Sequence, residues 1–334
     1  MKNKSTQEKV VLELLTNLDT WVSGDYLAKK FQVSRETIWK AINNLKNKRD
    51  YPIVSRKKRG YMLHTAPYLE ADLINIYSHK QLTDNLHVFK EVTSTQDLAK
   101  QFSSKHCITR PTVFVADKQT NGYGRRGRSF YSPPTTGLYL SIILPNQQQT
   151  VIQPGLLTTG IAVSITHVLE KFYPNKEFQF KWVNDIYLNY HKVGGIITES
   201  IFDLELGAAS AFIVGVGINL TTVKFPKELA IKAQAIDNDN SVNRNQLIAE
   251  IIQAIINGFL DYTNPQLLAE YRKKSIVLGK VVSLNTGSEV IQGVAQKIED
   301  NGGITIKRID GTFQTFTSGE VIKTGFNYKG DHIG

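Results

Sequence analysis

The chain has 334 residues, of which 41% are hydrophobic and 21% are charged, a composition typical of a folded protein with two or three domains. A single cysteine, Cys107, and the lack of any apolar stretch of 18 residues exclude an internal disulfide and a membrane-spanning helix, and they predict a cytoplasmic protein. The net charge is +10, and residues 1–65 carry +8 of it, with 14 Lys and Arg against 6 Asp and Glu. A strongly basic N-terminal segment followed by a nearly neutral remainder predicts that this segment contacts a polyanion.

The first 65 residues are predicted to form a winged helix-turn-helix domain. Apolar residues at helical spacing predict one helix over about residues 6–18 and two more after Ser23 and Ser34, both typical N-caps. Two short strands then flank the basic turn 56–59, which is typical of a wing. The candidate DNA contacts are Arg35, Thr37, Lys40, Asn43, Arg56, Lys57, Lys58 and Arg59. The alternative is a three-helix bundle with a charged surface, and the charge asymmetry favours DNA binding.

The remainder of the chain is predicted to hold two further domains. A proline in the segment 64–67 indicates a junction, because the residue before a proline avoids the helical region. Strands, glycines and helices then follow without a regular βαβ rhythm, so an α+β fold is expected for residues 66–274. The predicted helices are 71–77, 98–102, 155–173 and 245–262, and the main predicted strands are 112–116, 137–144, 178–182 and 212–220. Short strands separated by glycine turns predict a small β-barrel domain over residues 275–334. The predicted winged-helix domain before these two spans residues 1–65.

A glycine- and arginine-rich segment, residues 119–128, follows the predicted strand 112–116 and is here named the Gly/Arg loop. It holds three glycines, three arginines and no carboxylate. Glycines let backbone N–H groups approach an anion, and arginines donate forked hydrogen bonds to carboxylate or phosphate. The loop therefore indicates an anion site, with a solvated basic turn as the alternative.

Three further polar clusters stand at the ends of predicted strands or helices. Residues 94–97 are either a helix cap or hydrogen-bonding groups for a polar ligand. Asn184 and Asp185 are either an Asx turn or oxygen ligands for a cation. Lys192 precedes two glycines and is either a solvated lysine or a ligand-binding cation.

Taken in order, these motifs resemble those of bifunctional biotin protein ligases that also repress the biotin operon. The resemblance spans essentially the whole chain. It implies a class II synthetase-like ligase domain and an SH3-like C-terminal β-barrel. It also implies that biotin and ATP form biotinyl-5′-AMP, which then biotinylates a lysine of a biotin carboxyl carrier protein. Mg²⁺, operator DNA and an adenylate-dependent homodimer are the other implied cofactor and partners.

The resemblance also implies roles for individual residues. The implied catalytic residues are Arg125, Asp185 and Lys192. The implied biotin-binding residues are Ser94, Thr95, Gln96, Gln119, Gly122, Tyr123, Gly124, Arg125, Lys192, Gly215 and Gly217. The implied ATP-binding residues are Arg125, Arg126, Arg128, Asn184, Asp185 and Asn219, and Asp185 and Asn219 are the implied Mg²⁺ ligands.

Three residues depart from the family pattern. Tyr123 stands where an arginine is usual, Gln96 stands where asparagine is usual, and Val183 stands where proline is usual before Asn184 and Asp185. Tyr123 leaves open a biotin-sensing regulator without ligase turnover, and a ligase for a related acid such as lipoate or octanoate is a further alternative. The winged helix argues against the lipoate alternative.

Overall fold

The computed structural model describes residues 5–48, 51–64, 69–78, 85–147, 152–203, 208–222, 224–239 and 242–324. By its internal contacts the chain divides into two compact units, Met1–Tyr68 and Leu69–Gly334. Of the predicted junction 64–67, only His64 lies within the described residues. The division into three domains stays a prediction. None of the described helices is long and apolar enough to cross a membrane.

The first unit is the predicted winged helix-turn-helix. Its elements are α1 (Thr6–Thr16), α2 (Gly24–Phe31), α3 (Arg35–Lys48), β1 (Ile53–Arg56) and β2 (Gly60–Leu63). Both predicted N-caps are confirmed, since the Ser23 hydroxyl accepts from the Tyr26 N–H and the Ser34 hydroxyl from the Thr37 N–H, each at 3.1 Å. The first helix ends two residues before the predicted Leu18. The antiparallel pair β1–β2 turns through Lys58 and Gly60, both at positive φ.

A seven-stranded sheet forms the centre of the second unit. Its strands are β3 (Leu86–Val92), β4 (Thr112–Gln119), β5 (Gly137–Pro145), β6 (Phe178–Lys181), β7 (Asp185–Leu188), β8 (His191–Asp203) and β9 (Ala208–Asn219). They lie in the order β3-β4-β5-β9-β8-β7-β6, and only the β3–β4 pair is parallel. A mostly antiparallel sheet confirms the α+β prediction and places the ends of β4, β8 and β9 near one another.

Helices cover this sheet. They are α4 (Ala71–Tyr77), α5 (Thr95–Ser103), α6 (Pro154–Phe172), α7 (Lys227–Ala230), α8 (Arg244–Leu260) and α9 (Pro265–Lys273). The apolar helices α6 and α8 pack together and supply much of the core, as their run of buried Ile and Leu requires. Helix α5 covers a smaller apolar cluster around Phe114 and Ile213. It begins at Thr95 rather than at the predicted Leu98, because the Ser94 hydroxyl caps the N–H groups of Gln96 and Asp97.

The C-terminal part of this unit is a five-stranded antiparallel sheet. Its strands are β10 (Val281–Asn285), β11 (Val290–Ile298), β12 (Ile304–Arg308), β13 (Phe313–Phe316) and β14 (Glu320–Thr324). They lie in the order β13-β12-β11-β10-β14. The predicted all-β tail is confirmed as this sheet. Its packing joins the main core through residues such as Val282 and Ile306.

Candidate active site and nucleic-acid interface

One pocket gathers most of the side chains that the motifs indicated. It opens where β4 runs into the Gly/Arg loop, between the start of α5 and the strands β8 and β9. The candidate residues that line it are Ser94, Thr95, Gln96, Gln119, Tyr123, Gly124, Arg125, Arg126, Arg128, Asn184, Asp185, Lys192, Gly215 and Gly217. The turn Gly319–Glu320, from the C-terminal sheet, lines it as well. The fold thus joins motifs that are far apart along the chain.

The floor of the pocket is a buried group of neutral hydrogen-bonding side chains. Thr95 and Gln96 are each only 3% exposed, and both stand in the first turn of α5. Gln119 Oε1 accepts from the Thr95 N–H at 2.9 Å, and Gln119 Nε2 donates to the Ser132 hydroxyl at 3.0 Å. The Thr95 hydroxyl lies 3.0 Å from the hydroxyl of Ser141, which sequence reasoning missed because it lies inside the apolar strand β5. Such a floor suits the polar head of an uncharged ligand.

Tyr123 ties the Gly/Arg loop to helix α5. Its hydroxyl donates to Asp97 at 2.7 Å and accepts from Lys100 Nζ at 3.1 Å. Lys100 also donates to Glu199 at 2.8 Å. Partial burial lowers the pKa of Lys100, but the hydrogen bonds to Glu199 and Tyr123 outweigh it, so the net direction is upward. A cation therefore stands beside Tyr123, supplied by the helix and not by the loop.

The arginines of the Gly/Arg loop are directed towards the C-terminal sheet. Arg125 donates to the carbonyl of Gly319 at 3.2 Å, and Arg128 pairs with Glu320. Arg126 has a positive φ of 58°, and a Cβ at Gly287 would lie 3.5 Å from its guanidinium. Burial lowers the pKa of the Arg125 guanidinium, since a charge is costly in a partly desolvated site. The loop thus presents a cluster of three cations held partly by the β tail.

A second cationic group stands on the neighbouring strands β6, β7 and β8. Lys192 Nζ lies 2.6 Å from Asp185 Oδ1, and both side chains are partly buried. Lys181, one strand away, has its pKa lowered by burial, with the Asp185 carboxylate opposing that shift. Sequence reasoning missed Lys181 as a site residue because it lies within an ordinary predicted strand. The available signal was the alternation along that strand, which places Lys181 on the opposite face from the buried Phe180.

Asn219 lies outside the main pocket but lines an adjoining one together with Asp185 and Lys192. Asn219 is buried, and no donor among the described residues reaches its Oδ1 atom. Aromatic rings of Tyr131 and Phe225, whose centroids are 6.2 Å apart, border the same space. These two rings also escaped sequence reasoning, since Phe225 lies in an irregular segment with no motif.

The glycines of the site leave room for neighbouring side chains. A Cβ at Gly215 would stand 2.5 Å from Gln96 Oε1, and a Cβ at Gly217 would stand 2.7 Å from the Phe130 ring. In this structure the space at these glycines is therefore taken by protein side chains. Gly122 does not line the main pocket but packs beneath Gln119 and Ser132, each 2.7 Å from the place of its Cβ.

A buried tyrosine supports the site from behind. Tyr271, on α9, stacks on Phe180 with ring centroids 4.6 Å apart, and it is fully buried. Within the described part of the chain its hydroxyl has no partner. Burial raises the pKa of Tyr271 well above the ordinary value, so the hydroxyl stays neutral.

The winged-helix unit presents its own candidate surface. Arg35, Lys40 and the wing residues Arg56, Lys57, Lys58 and Arg59 are exposed, while Thr37 and Asn43 are half-buried. Arg35 pairs with Asp25, and Lys40 pairs with Glu36 at 2.7 Å. Trp39, on the same helix, is 56% exposed, and sequence reasoning missed it because tryptophan usually indicates core.

Comparison with known proteins agrees with this geometry. Residues 88–219 match the biotin/lipoate A/B protein ligase family, and residues 6–62 match an HTH domain. The bifunctional ligase/repressor BirA of Bacillus spizizenii is 27% identical over 94% of this chain and 98% of its own length. The chain is a homologue of the bifunctional ligase/repressors. The BirA protein of Escherichia coli is 26% identical over 96% of this chain and 98% of its own length.

A solved structure supports the assignment of the ligase fold. The biotin protein ligase from Aquifex aeolicus, in complex with biotin and ATP, superposes with a TM-score of 0.59 at 28% identity. It covers 71% of this chain and 97% of its own. Residues 88–219 therefore have the biotin/lipoate ligase fold, joined here to a helix-turn-helix domain.

Proposed function

We propose that this protein is an ATP-dependent biotin protein ligase that also represses transcription of biotin genes. One observation carries the ligase proposal: a buried floor of neutral hydrogen-bonding groups and a cluster of cations face the same pocket. A cyclic urea with a carboxylate tail fits that division, with the ring on the Thr95–Gln119 floor and the carboxylate towards Arg125 and Lys192.

The chemistry requires charge stabilisation more than a protein nucleophile. In the first step the biotin carboxylate attacks the α-phosphorus of ATP, and pyrophosphate leaves. In the second step a lysine amine of the acceptor attacks the acyl carbon, loses a proton, and AMP leaves. Both steps place negative charge on phosphoryl and acyl oxygens. Arg125, Arg128 and Lys192 are positioned to stabilise it.

Mg²⁺ belongs to this proposal as well. Asp185 and Asn219 both line the adjoining pocket, and both carry oxygen donors that suit Mg²⁺. Among the described residues no group of three or more His, Cys, Asp or Glu side chains is placed to hold a metal. The donor set therefore fits an ion held mainly by phosphate oxygens, whose charge would neutralise the leaving pyrophosphate. Tyr131 and Phe225 are suited to stack the nucleobase.

The remaining roles follow from homology and charge. The acceptor is proposed to be a biotin carboxyl carrier protein, because one similar protein, from Mycobacterium tuberculosis, is named biotin–[acetyl-CoA-carboxylase] ligase. The DNA partner is proposed to be a palindromic operator bound by a homodimer, the usual geometry of helix-turn-helix repressors. The proposed location is the cytoplasm.

Mass spectrometry of the acceptor tests the ligase proposal. The protein is mixed with biotin, ATP, Mg²⁺ and a purified carrier domain, and the carrier is weighed. We expect the mass of one biotin to be added only when ATP is present. Tight biotin binding by calorimetry without any added mass would refute turnover and favour the sensing regulator instead.

A further inference from the structure

A carboxylate outside the pocket anchors the side chains of its floor. Glu199, on β8, accepts from Gln96 Nε2 at 2.6 Å with one oxygen and from Lys100 Nζ at 2.8 Å with the other. Its side chain is 34% exposed and does not line the pocket. Glu199 therefore acts on any ligand through Gln96 and not by direct contact.

The carboxylate dictates the direction of a chain of hydrogen bonds. An ionised carboxylate only accepts, so the Gln96 amide must turn its NH₂ to Glu199 and its oxygen to Ser141. The Ser141 hydroxyl donates its one proton to that oxygen at 2.8 Å. The Ser141 oxygen is then left to accept from the Thr95 hydroxyl, 3.0 Å away.

The Thr95 hydroxyl proton is consequently used within the protein. Its two neighbours are the Ser141 oxygen at 3.0 Å and Gln119 Oε1 at 3.2 Å, and both are acceptors. The oxygen of Gln119 is fixed in that role because it also accepts the Thr95 N–H. Towards the pocket, Thr95 Oγ1 can therefore only accept, which selects a ligand that presents an N–H.

We propose that Glu199 is a positioning residue that orients the Gln96 amide and, through it, the Ser141 hydroxyl, so that Thr95 keeps both of its inward acceptors and accepts an N–H of a cyclic urea. The Gln96 side chain is what makes this possible, because its amide spans from Ser141 to Glu199. Gly215 leaves room for that amide, since a Cβ there would meet Gln96 Oε1 at 2.5 Å. Lys100 holds the carboxylate in place and links it to Tyr123 on the Gly/Arg loop. This inference rests on the proposed function and deepens it.

The test is the variant Glu199→Gln, because an amide can donate as well as accept and no longer imposes the direction. We expect the biotin Kd and the KM for biotin to rise about tenfold, the scale of one hydrogen bond to a ligand. The KM for ATP is expected to stay within about twofold, since the phosphates are proposed to contact the cations and not the amide floor.

A matched control is Glu250→Gln on helix α8. Glu250 likewise accepts from a lysine, Lys171 at 2.6 Å, and from a glutamine amide, Gln246 at 3.2 Å, but it lies outside the pocket. We expect this variant to bind biotin as the parent chain does. Equal biotin affinities in the two variants would overturn the inference.

A second readout separates positioning from loss of folding. The parent chain is expected to bind biotin far more tightly than an analogue methylated on its ureido nitrogens. In Glu199→Gln the ratio of the analogue's Kd to the Kd of biotin should fall at least about fivefold, because only biotin loses an N–H contact. A partly unfolded variant would lose both ligands equally, and an unchanged ratio would contradict the inference.

Biotin binding by calorimetry and biotin-dependent pyrophosphate release in the parent chain are measured first. Binding without pyrophosphate release would refute the ligase proposal and leave the polarity inference testable. No biotin binding at all would refute both, whereas normal turnover with an unchanged ratio in Glu199→Gln would refute the inference alone.

Discussion

At the scale of single residues, the ion pair between Lys192 and Asp185 holds the ammonium that is proposed to bind a phosphate. Nζ and Oδ1 are 2.6 Å apart, and Gly195 lies beside both. A Cβ at Gly195 would stand 3.2 Å from Nζ and 3.4 Å from Oδ1, so the glycine leaves room for the pair. A negatively charged ligand must compete with Asp185 for the ammonium.

The substitution Lys192→Met tests that role. We expect biotin-dependent pyrophosphate release to fall about 10²- to 10³-fold, the usual loss when one donor to a developing oxyanion is removed. Stopped assays with labelled ATP measure the rate. Lys171→Met, which removes a 64% exposed lysine on α6, should leave it unchanged. A rate for Lys192→Met within threefold of the parent would contradict the assigned role.

The sequence motifs identified most pocket residues, because each stands at a strand end or in a glycine turn. Glu199, Lys100 and Ser141 escaped notice for a physical reason. Glu199 meets its partners Gln96 and Lys100 across 103 and 99 positions of sequence, so no local pattern announces the contact. Tyr123 departs from the family pattern, and the sequence does not indicate its contact with Lys100, which donates to the tyrosine hydroxyl.

At the scale of elements, helix α8 is fixed to the sheet by a charge at its first residue. Arg244 pairs with Asp117 at 2.8 Å and donates to the Gly137 carbonyl at 2.8 Å, linking α8 to β4 and β5. Both side chains are largely buried. A buried ion pair is costly to break, because the remaining partner keeps an uncompensated charge.

We therefore expect Arg244→Met to lower the free energy of unfolding of the second unit by about 3 kcal/mol. Urea denaturation followed by circular dichroism measures this loss. Arg272→Met is the comparison, since its partner Asp300 is 90% exposed and its ion pair should contribute much less. If Arg244→Met lowers the free energy of unfolding by less than about 1 kcal/mol, the expectation is contradicted, because solvent then replaces the interactions of the ion pair.

The wing between β1 and β2 is the element whose charge is expected to meet DNA phosphates. Removing two of its exposed lysines, Lys57→Gln with Lys58→Gln, should weaken binding to any duplex and reduce the slope of log K against log salt by about two. Fluorescence anisotropy over a salt series measures the slope. Lys297→Gln with Lys307→Gln changes the net charge equally from the β tail, and an equal effect of that pair would argue against a specific wing contact.

Most elements were predictable because their apolar periodicity is strong. Helix α9 was missed although Asn264 caps it and Pro265 opens it, since only Leu267, Leu268 and Tyr271 mark its apolar face. Strand β14 was missed because five residues of mixed character carry almost no pattern. Strand β14 lines the pocket through Glu320, a tertiary contact that propensity does not encode.

At the scale of the whole molecule, the pocket is built from parts of the second unit that are distant in sequence, so its ligands should stabilise that unit. We expect saturating biotin with ATP and Mg²⁺, at about 100 times Kd, to add about 2.7 kcal/mol to the free energy of unfolding. For a unit of this size that corresponds to a rise in Tm of roughly 5–10 °C. Scanning calorimetry measures it, and Lys192→Met should lose part of the biotin increment and most of the ATP increment.

The dependence of the loop on the β tail has a consequence for synthesis of the protein. Arg125 and Arg128 find acceptors in Gly319 and Glu320, which follow them by 194 and 192 positions. A ribosome that has completed residue 274 has already made every motif of the site, yet the two acceptors have not been translated. The nascent chain should therefore remain unable to consume ATP until strand β14 has emerged, and a prematurely terminated product should be inert instead of releasing a reactive intermediate.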